Sequence, residues 1–125
     1  MSLEIQTEPL TEHLDARGRL IKAWPHPCSG EIYVVELLPG SSRGHHYHHS
    51  GGEWFVPLEG QCTLVVQDPQ TGERAVIPLE GIRARVEPGL AHALFAQEHS
   101  SAWVMAVADR SHGQDKTTPY RVPEP

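Results

Sequence analysis

The feature that most constrains the fold of this chain is a series of short apolar segments separated by glycine- and proline-rich breaks. The breaks include Pro39-Gly40, Gly51-Gly52 and Pro88-Gly89, and such pairs favour turns. No segment keeps a helical period long enough to compete, so we predict an all-β fold. Closing such strands into a barrel or jelly roll removes exposed sheet edges and leaves an open mouth for a ligand. The segments predicted as strands are residues 32–38, 54–58, 63–67, 75–79, 82–86, 93–96 and 103–108.

Length and composition bound the number of domains. The chain has 125 residues, of which 38% are hydrophobic, and this suits one domain with one core. We therefore predict a single domain over residues 1–125. Its last segment, residues 117–125, contains three prolines and is expected to pack loosely.

Charge and hydropathy argue against two classes of partner. The formal net charge is −6 and the lysines and arginines form no cluster, whereas a nucleic-acid partner requires a basic face. No apolar run is long enough to cross a bilayer, and the N-terminus lacks the features of a secretory signal. We expect a cytoplasmic protein without a nucleic-acid or membrane partner. Its two cysteines, Cys28 and Cys62, are too far apart for a CxxC site and are interpreted as packing thiols.

The spacing of His46, His48 and Glu53 predicts half of a metal site. A strand projects alternate side chains to one face, so the two imidazoles can point together into one cavity. Glu53 follows the turn-forming residues 50–52, where the chain can fold back and bring a carboxylate to the same ion. These three side chains are therefore predicted metal ligands.

His92, which follows the turn at Pro88-Gly89, offers a fourth donor. Three imidazoles and a carboxylate, with no thiolate, suit zinc, iron, manganese, nickel or copper. Because four protein ligands leave room for water or substrate at most of these ions, we predict a site for chemistry rather than a structural staple. The expected cofactor is one divalent transition metal.

The chain has nine histidines, and most of them carry no such signal. Four lie in polar or turn contexts and are predicted to be ordinary surface residues. By the alternation of the strand, the two that flank the predicted ligands face away from the barrel interior and are expected on the surface or at the rim. The first set is His13, His26, His99 and His112, and the second is His45 and His49.

The predicted ligands lie in a pattern that resembles the first motif of the cupin superfamily, G-x5-H-x-H-x4-E-x6-G. Gly40, His46, His48, Glu53 and Gly60 match every position of it. This resemblance implies a double-stranded β-helix, the jelly-roll barrel of cupins.

The second cupin motif, G-x5-P-x-G-x2-H-x3-N, is kept in part. Gly81, Gly89 and His92 match it, whereas Glu87 stands in place of the proline and Ala96 in place of the asparagine. The resemblance therefore supports His92 as a ligand on a weaker pattern than the first three.

Residues 43–49 read R-G-H-H-Y-H-H and resemble the R-G-N-H-Y-H-H of the C-terminal cupin domain in bifunctional capsular polysaccharide enzymes. In that family the domain binds zinc and epimerises a 4-keto sugar nucleotide at C3. Residues 15–20 read D-A-R-G-R-L and resemble the D-x-R-G-x-L opening of the sugar-nucleotide 3,4-ketoisomerases and 3,5-epimerases. The resemblance implies zinc as the favoured metal, a nucleotide-sugar substrate and a homodimer.

The sugar-nucleotide relatives imply two further roles, a phosphate contact for Arg43 and a base for His46. Metal-free relatives often carry Gln where this chain has Glu53, so the carboxylate favours a metal. A histidine that binds a metal is deprotonated and cannot also shuttle protons. The two mechanisms are mutually exclusive at His46.

Under the metal hypothesis the general base is unassigned, with His45, Tyr33 and Tyr120 as candidates. Arg43, His45 and Tyr120 are predicted to bind the substrate. Two other functions stay open: an iron- or manganese-dependent dioxygenase or small-acid decarboxylase, and a non-catalytic module that binds a sugar or metabolite.

Overall fold

The computed structural model describes residues 3–125, which form twelve strands. Two five-stranded sheets face each other, and a separate hairpin lies beside them. The strands are β1 (Thr7–Pro9), β2 (Thr11–Asp15), β3 (Gly18–Lys22), β4 (Glu31–Leu37), β5 (Ser42–His48), β6 (Glu53–Glu59), β7 (Cys62–Gln67), β8 (Arg74–Leu79), β9 (Ile82–Val86), β10 (Ala91–Ala96), β11 (Ala102–Ala108) and β12 (Thr117–Pro119).

The strand order identifies a jelly roll. The first sheet has the order β1-β9-β6-β11-β4, the second has the order β12-β5-β10-β7-β8, and β2 pairs with β3. Every pairing is antiparallel, and the chain repeatedly passes from one sheet to the other, as in the double-stranded β-helix. The predicted all-β cupin barrel is confirmed.

The main core fills the space between the two sheets. It includes Leu37, Phe55, Leu64, Leu94 and Val104, all at most 3% exposed. These residues come from strands of both sheets, and the period-2 alternation of each strand places them on its inner face. Burial of these side chains is the main stabilisation of the barrel that carries the site.

The C-terminal segment packs more tightly than expected. β12 pairs with β5, so the start of the segment extends the second sheet. Beyond it, Val122 is only 1% exposed and joins a second apolar cluster with Val65, Ala91 and Phe95. The expectation of loose packing was wrong for residues 117–122, because the outer face of the second sheet is apolar and Tyr120 and Val122 pack against it. Residues 123–125 are exposed.

The seven segments predicted from apolar periodicity are all strands, with ends that agree to within two residues. The strand that the alternation of His46 and His48 predicts is β5. The remaining four strands, β1, β2, β3 and β12, were not predicted. Their sequences are short or polar and most of their residues are exposed. Pairing with neighbouring strands, rather than an apolar pattern, defines them.

Helical structure in residues 3–125 is limited to one 3₁₀ turn, His112–Gln114. It lies in the connection between β11 and β12 and brings His112 to the mouth of the barrel. Nowhere in this part of the chain is there a helix long and apolar enough to cross a membrane.

Gly60 follows β6 and is the last residue of the first cupin motif, and its surroundings explain why this position is a glycine. Its φ of 74° lies in the left-handed region, and a Cβ atom there would lie 2.1 Å from the carbonyl oxygen of Ser101. Gly72 has a similar φ of 78°, but a Cβ atom on it would meet nothing within 4 Å. The two glycines thus separate the effect of backbone strain from that of close packing.

We predict that Gly60→Ala lowers the free energy of unfolding by roughly 2–6 kcal/mol, because left-handed strain and backbone overpacking add. Gly72→Ala, which has strain alone, should lose at most about 2 kcal/mol. Urea denaturation of the two variants and the parent protein measures both losses. Equal losses would show that the contact with Ser101 is unimportant.

Candidate metal centre and cavity

Three strands bring the four predicted ligands together inside the barrel. His46 and His48 lie on β5, Glu53 begins β6 and His92 lies on β10, where His92 pairs directly with His46. One donor atom from each residue lies within 4.8 Å of the donor atoms of the other three. Metal–nitrogen bonds are about 2.0–2.1 Å long, so a single ion could reach all four donors with small side-chain adjustments.

A distortion of β5 precedes the first ligand. Gly44 has a φ of 107° and His45 a φ of 57°, and the pairing of β10 with β5 shifts register between His92 and Ala93. A Cβ atom on Gly44 would lie 2.8 Å from the carbonyl oxygen of His92, so only glycine allows β5 and β10 to approach this closely. The distortion aims His46 at His92.

The burial of the cluster tests whether its residues fit a metal. Glu53 is 2% exposed, His92 3% and His48 6%. Among the described residues, Nε2 of His48, Oε1 of Glu53 and Nδ1 of His92 have no hydrogen-bond partner. The first two atoms contact each other, but not with hydrogen-bond geometry. Buried polar atoms are almost always paired, so a buried group of imidazoles and a carboxylate with unused hydrogen-bonding capacity fits a cation.

Burial and mutual contact also shift the pKa values of these groups. Burial lowers the pKa of His92 to about 4, and burial with the nearby His48 lowers that of His46. Contact with Glu53 raises the pKa of His48. The pKa of Glu53 is lowered because its burial, which acts to raise it, is outweighed by contact with His48, the charge of His92 and the Tyr33 hydroxyl. The cluster thus combines a carboxylate with imidazoles of differing basicity.

Two further side chains orient the ligands. The Tyr33 hydroxyl donates a hydrogen bond of 2.5 Å to Oε2 of Glu53. Oδ2 of Asp115 lies 3.3 Å from Nδ1 of His48 and accepts the backbone N–H of Gly51 at 3.0 Å. Carboxylates in this position fix the tautomer and ring orientation of metal-binding histidines. Asp115 therefore directs Nε2 of His48 towards the cluster.

The cluster forms one end of a cavity of about 270 Å³ that opens between the two sheets. One part of the wall is apolar and the other is polar, and Arg43 lies on the polar part. The Nε–H of Arg43 donates to the backbone carbonyl of Glu36 at 3.1 Å, which anchors the guanidinium at the wall. The lining residues are Tyr33, Val35, Arg43, Gly44, His46, Phe55, His92, Leu94 and His112.

Two residues predicted to bind the substrate, His45 and Tyr120, do not line this cavity. Nδ1 of His45 accepts the Val122 N–H at 3.1 Å, and its Nε2 lies 2.9 Å from Oγ of Ser42, so neither ring nitrogen is free. Tyr120 packs against the second apolar cluster. Of the three, only Arg43 lines the cavity together with the predicted metal ligands His46 and His92.

His112 is a cavity residue that the sequence placed on the surface. Its Nδ1 lies 3.1 Å from Oε1 of Glu31, and the same oxygen accepts its backbone N–H at 2.9 Å. No spacing in the sequence links position 112 to the ligands, because the tertiary fold alone brings the 3₁₀ turn to the mouth. Asp115, three residues further, was missed for the same reason.

Comparison of the sequence with protein families gives one match over most of the chain. Residues 13–118 match the family described as the polysaccharide biosynthesis C-terminal domain. A UDP-2-acetamido-2,6-β-L-arabino-hexul-4-ose reductase of Pseudomonas aeruginosa is 31% identical over 83 residues, which are 64% of this chain and 22% of the reductase. The chain thus spans about a fifth of the length of that relative.

Solved structures of similar shape include proteins from several bacteria. A dTDP sugar isomerase from Desulfovibrio desulfuricans G20 has a TM-score of 0.84 at 21% identity, over 94% of this chain and 83% of the isomerase. The 3′-monoepimerase ChmJ from Streptomyces bikiniensis, solved with dTDP-quinovose, has a TM-score of 0.76 at 18% identity, over 94% of this chain and 72% of the monoepimerase. CapF, a capsular polysaccharide assembling protein from Staphylococcus aureus, has a TM-score of 0.68 at 20% identity, over 91% of this chain and 35% of CapF. At these identities the likeness establishes the fold.

We predict that Tyr33→Phe lowers the free energy of unfolding of the metal-stripped protein by about 1–3 kcal/mol, because Oε2 of the buried Glu53 loses its donor. Tyr47→Phe is the matched control, since Tyr47 is also half-buried but stacks on His49 on the outer face, with ring centroids 5.5 Å apart. Thermal and urea unfolding after treatment with a chelator compare the two. Equal stability of both variants would contradict a supporting role for Tyr33.

Proposed function

The chain belongs to the family of polysaccharide biosynthesis C-terminal domains, and we propose that it is a metal-dependent epimerase or isomerase of 4-keto sugar nucleotides. The observation that carries the proposal is the convergence of His46, His48, Glu53 and His92 at the end of an open cavity. Family membership supports a role in polysaccharide synthesis. The fold is one that serves dTDP-sugar isomerases and epimerases.

The donor set supports one divalent transition metal, with zinc favoured and iron, manganese or nickel as alternatives. Nitrogen and carboxylate donors suit all of these ions. With four protein ligands, a six-coordinate ion keeps two positions for other groups, and zinc would take another group by becoming five-coordinate. When bound, such an ion supplies Lewis acidity, which favours negative charge on an oxygen brought to the site. Such stabilisation would favour epimerisation beside a ketone, because negative charge develops on the carbonyl oxygen as the carbon-bound proton leaves.

The cavity and its mouth suit a nucleotide sugar in an extended pose. With a volume of about 270 Å³, the cavity lies near the lower end of ligand pockets, which are roughly 300–1,000 Å³, and we assign it to the sugar alone. The apolar wall of Val35, Phe55 and Leu94 would face the less polar side of a deoxysugar. Arg43, whose terminal nitrogens are not used by its bond to Glu36, would bind the phosphates bidentately.

The names of the relatives support a keto sugar as the substrate class. The reductase from Pseudomonas aeruginosa is named for a hexul-4-ose, a sugar with a ketone at C4, carried on UDP. The isomerase is named for a dTDP sugar, and the monoepimerase was solved in complex with dTDP-quinovose. These names leave the nucleotide open, so both UDP and dTDP sugars belong in the test.

We predict that the protein, once stripped with a chelator, binds one equivalent of zinc. Glu53→Gln should weaken zinc binding by more than the about 10–100-fold caused by changes in outer-shell groups, because it alters a direct donor. Isothermal titration calorimetry gives the affinity and elemental analysis the stoichiometry. Glu98→Gln is the control, since the side chain of Glu98 is 86% exposed. Equal zinc binding by the Glu53 variant would contradict the proposed metal site.

The proposed reaction is tested by exchange of the sugar protons with solvent. We expect the zinc-loaded protein in D₂O to introduce deuterium at C3 or C5 of a UDP- or dTDP-4-keto-6-deoxyhexose, because removal of the proton beside the ketone is the first step. Proton NMR and mass spectrometry detect the exchange, with metal-free Glu53→Gln protein as the control. Tight binding without exchange would contradict catalysis and favour a binding module.

A further inference from the structure

His112 carries the one basic atom of the cavity wall that the site described above leaves unused. Nδ1 of His112 lies 3.1 Å from Oε1 of Glu31, and the backbone N–H of His112 donates to the same oxygen at 2.9 Å. Two contacts to one carboxylate oxygen fix both the main chain and the ring. With Nδ1 facing a carboxylate, the proton of the neutral ring resides on Nδ1 and the lone pair on Nε2.

The other residues that line the cavity are unsuited to accept a proton. His46 and His92 are assigned as metal ligands, and a ligating imidazole has no free lone pair. Tyr33 already donates its hydroxyl proton to Glu53, and Arg43 is permanently charged. The remaining lining residues are the apolar Val35, Phe55 and Leu94 and the glycine Gly44. Among the residues that line the cavity, His112 is therefore the remaining candidate for the proton acceptor.

The position of His112 suits a base that acts beside the metal ligands. Its ring lies next to that of Tyr33, with centroids 5.0 Å apart, and Tyr33 is hydrogen-bonded to the ligand Glu53. The His112 side chain is 59% exposed, so a proton taken up there can exchange with water. His112 thus stands between the cluster and the solvent at the mouth.

We propose that His112, positioned by Glu31, is the catalytic base that removes the proton beside the ketone, an assignment that rests on the proposed function. The lone pair of Nε2 takes the proton from carbon, and the electrons of the C–H bond form a carbon–carbon double bond. The carbonyl π electrons move to the oxygen, which becomes an enolate oxygen. Glu31 compensates the charge of the resulting imidazolium. For epimerisation, a water molecule protonates the opposite face of the carbon as the enolate electrons return, and the imidazolium releases its proton to the resulting hydroxide or to solvent. No oxidant or reductant is consumed.

The test measures deuterium exchange from D₂O into a 4-keto sugar nucleotide by zinc-loaded His112→Ala protein. We expect the rate to fall at least about 100-fold, the lower range for general-base catalysis, with unchanged zinc content and substrate affinity. Added imidazole should restore part of the rate to this variant, because it replaces the missing group. His99→Ala is the matched control and should keep the parent rate, since the His99 side chain is 90% exposed.

A second pair of variants tests the positioning role of Glu31. Glu31→Gln should lower kcat for exchange while leaving KM unchanged, because the ring loses its orientation but the substrate keeps its contacts. Glu31→Asp should recover part of kcat.

Three outcomes would overturn the assignment. A parent rate in His112→Ala would remove His112 as base and leave the proposed function intact. Loss of zinc or of folding in both His112→Ala and His112→Gln would make the residue structural. Absence of exchange in the parent protein would overturn this assignment and the proposed function together.

Discussion

Burial of lone pairs without hydrogen-bond donors is the physical constraint around which this barrel is built. Nε2 of His48, Oε1 of Glu53 and Nδ1 of His92 form no hydrogen bond in the described part of the chain, although the first two atoms contact each other. A buried polar atom left without any partner costs about 1–3 kcal/mol. An apolar side chain at any of these positions would avoid this cost. A bound cation would offset this cost.

The surrounding structure holds these atoms in place through the turn between β5 and β6. Asp109 accepts the N–H of Gly52 at 3.0 Å and is itself held by Arg85 at 2.6 Å. Asp115 accepts the N–H groups of Ser50 and Gly51 at 3.1 and 3.0 Å. Both carboxylates follow β11, so the end of the chain fixes the turn that places Glu53. β12 also pairs with residues 46–48 of β5, the segment that carries His46 and His48.

The sequence predicted the parts of the site that depend on local periodicity. His46, His48 and Glu53 are spaced by strand alternation and one turn, and the structure brings them together with His92 as expected. Of the residues predicted to bind the substrate, Arg43 lines the cavity, whereas His45 and Tyr120 do not. Distortion of β5 at Gly44 and His45 and the packing of Tyr120 under the second sheet depend on tertiary contacts that no local pattern reports.

The residues that the sequence missed lie in the connection after β11. His112 lines the cavity and Asp115 lies beside His48. Both positions arise because that connection crosses the mouth of the barrel. Their partners, Glu31 and the turn at Ser50, are far away along the chain. A histidine in a polar turn has no periodic signal, so its interpretation as a surface residue was reasonable and incomplete.

Anomalous diffraction from crystals of the zinc-loaded protein, recorded on both sides of the zinc absorption edge, tests the central claim most directly. We predict one strong anomalous peak bonded to nitrogen atoms of His46, His48 and His92 and to an oxygen of Glu53, at about 2.0–2.2 Å. A map with zinc only at surface histidines, and with the four side chains still in mutual contact, would contradict the claim that their convergence serves a metal.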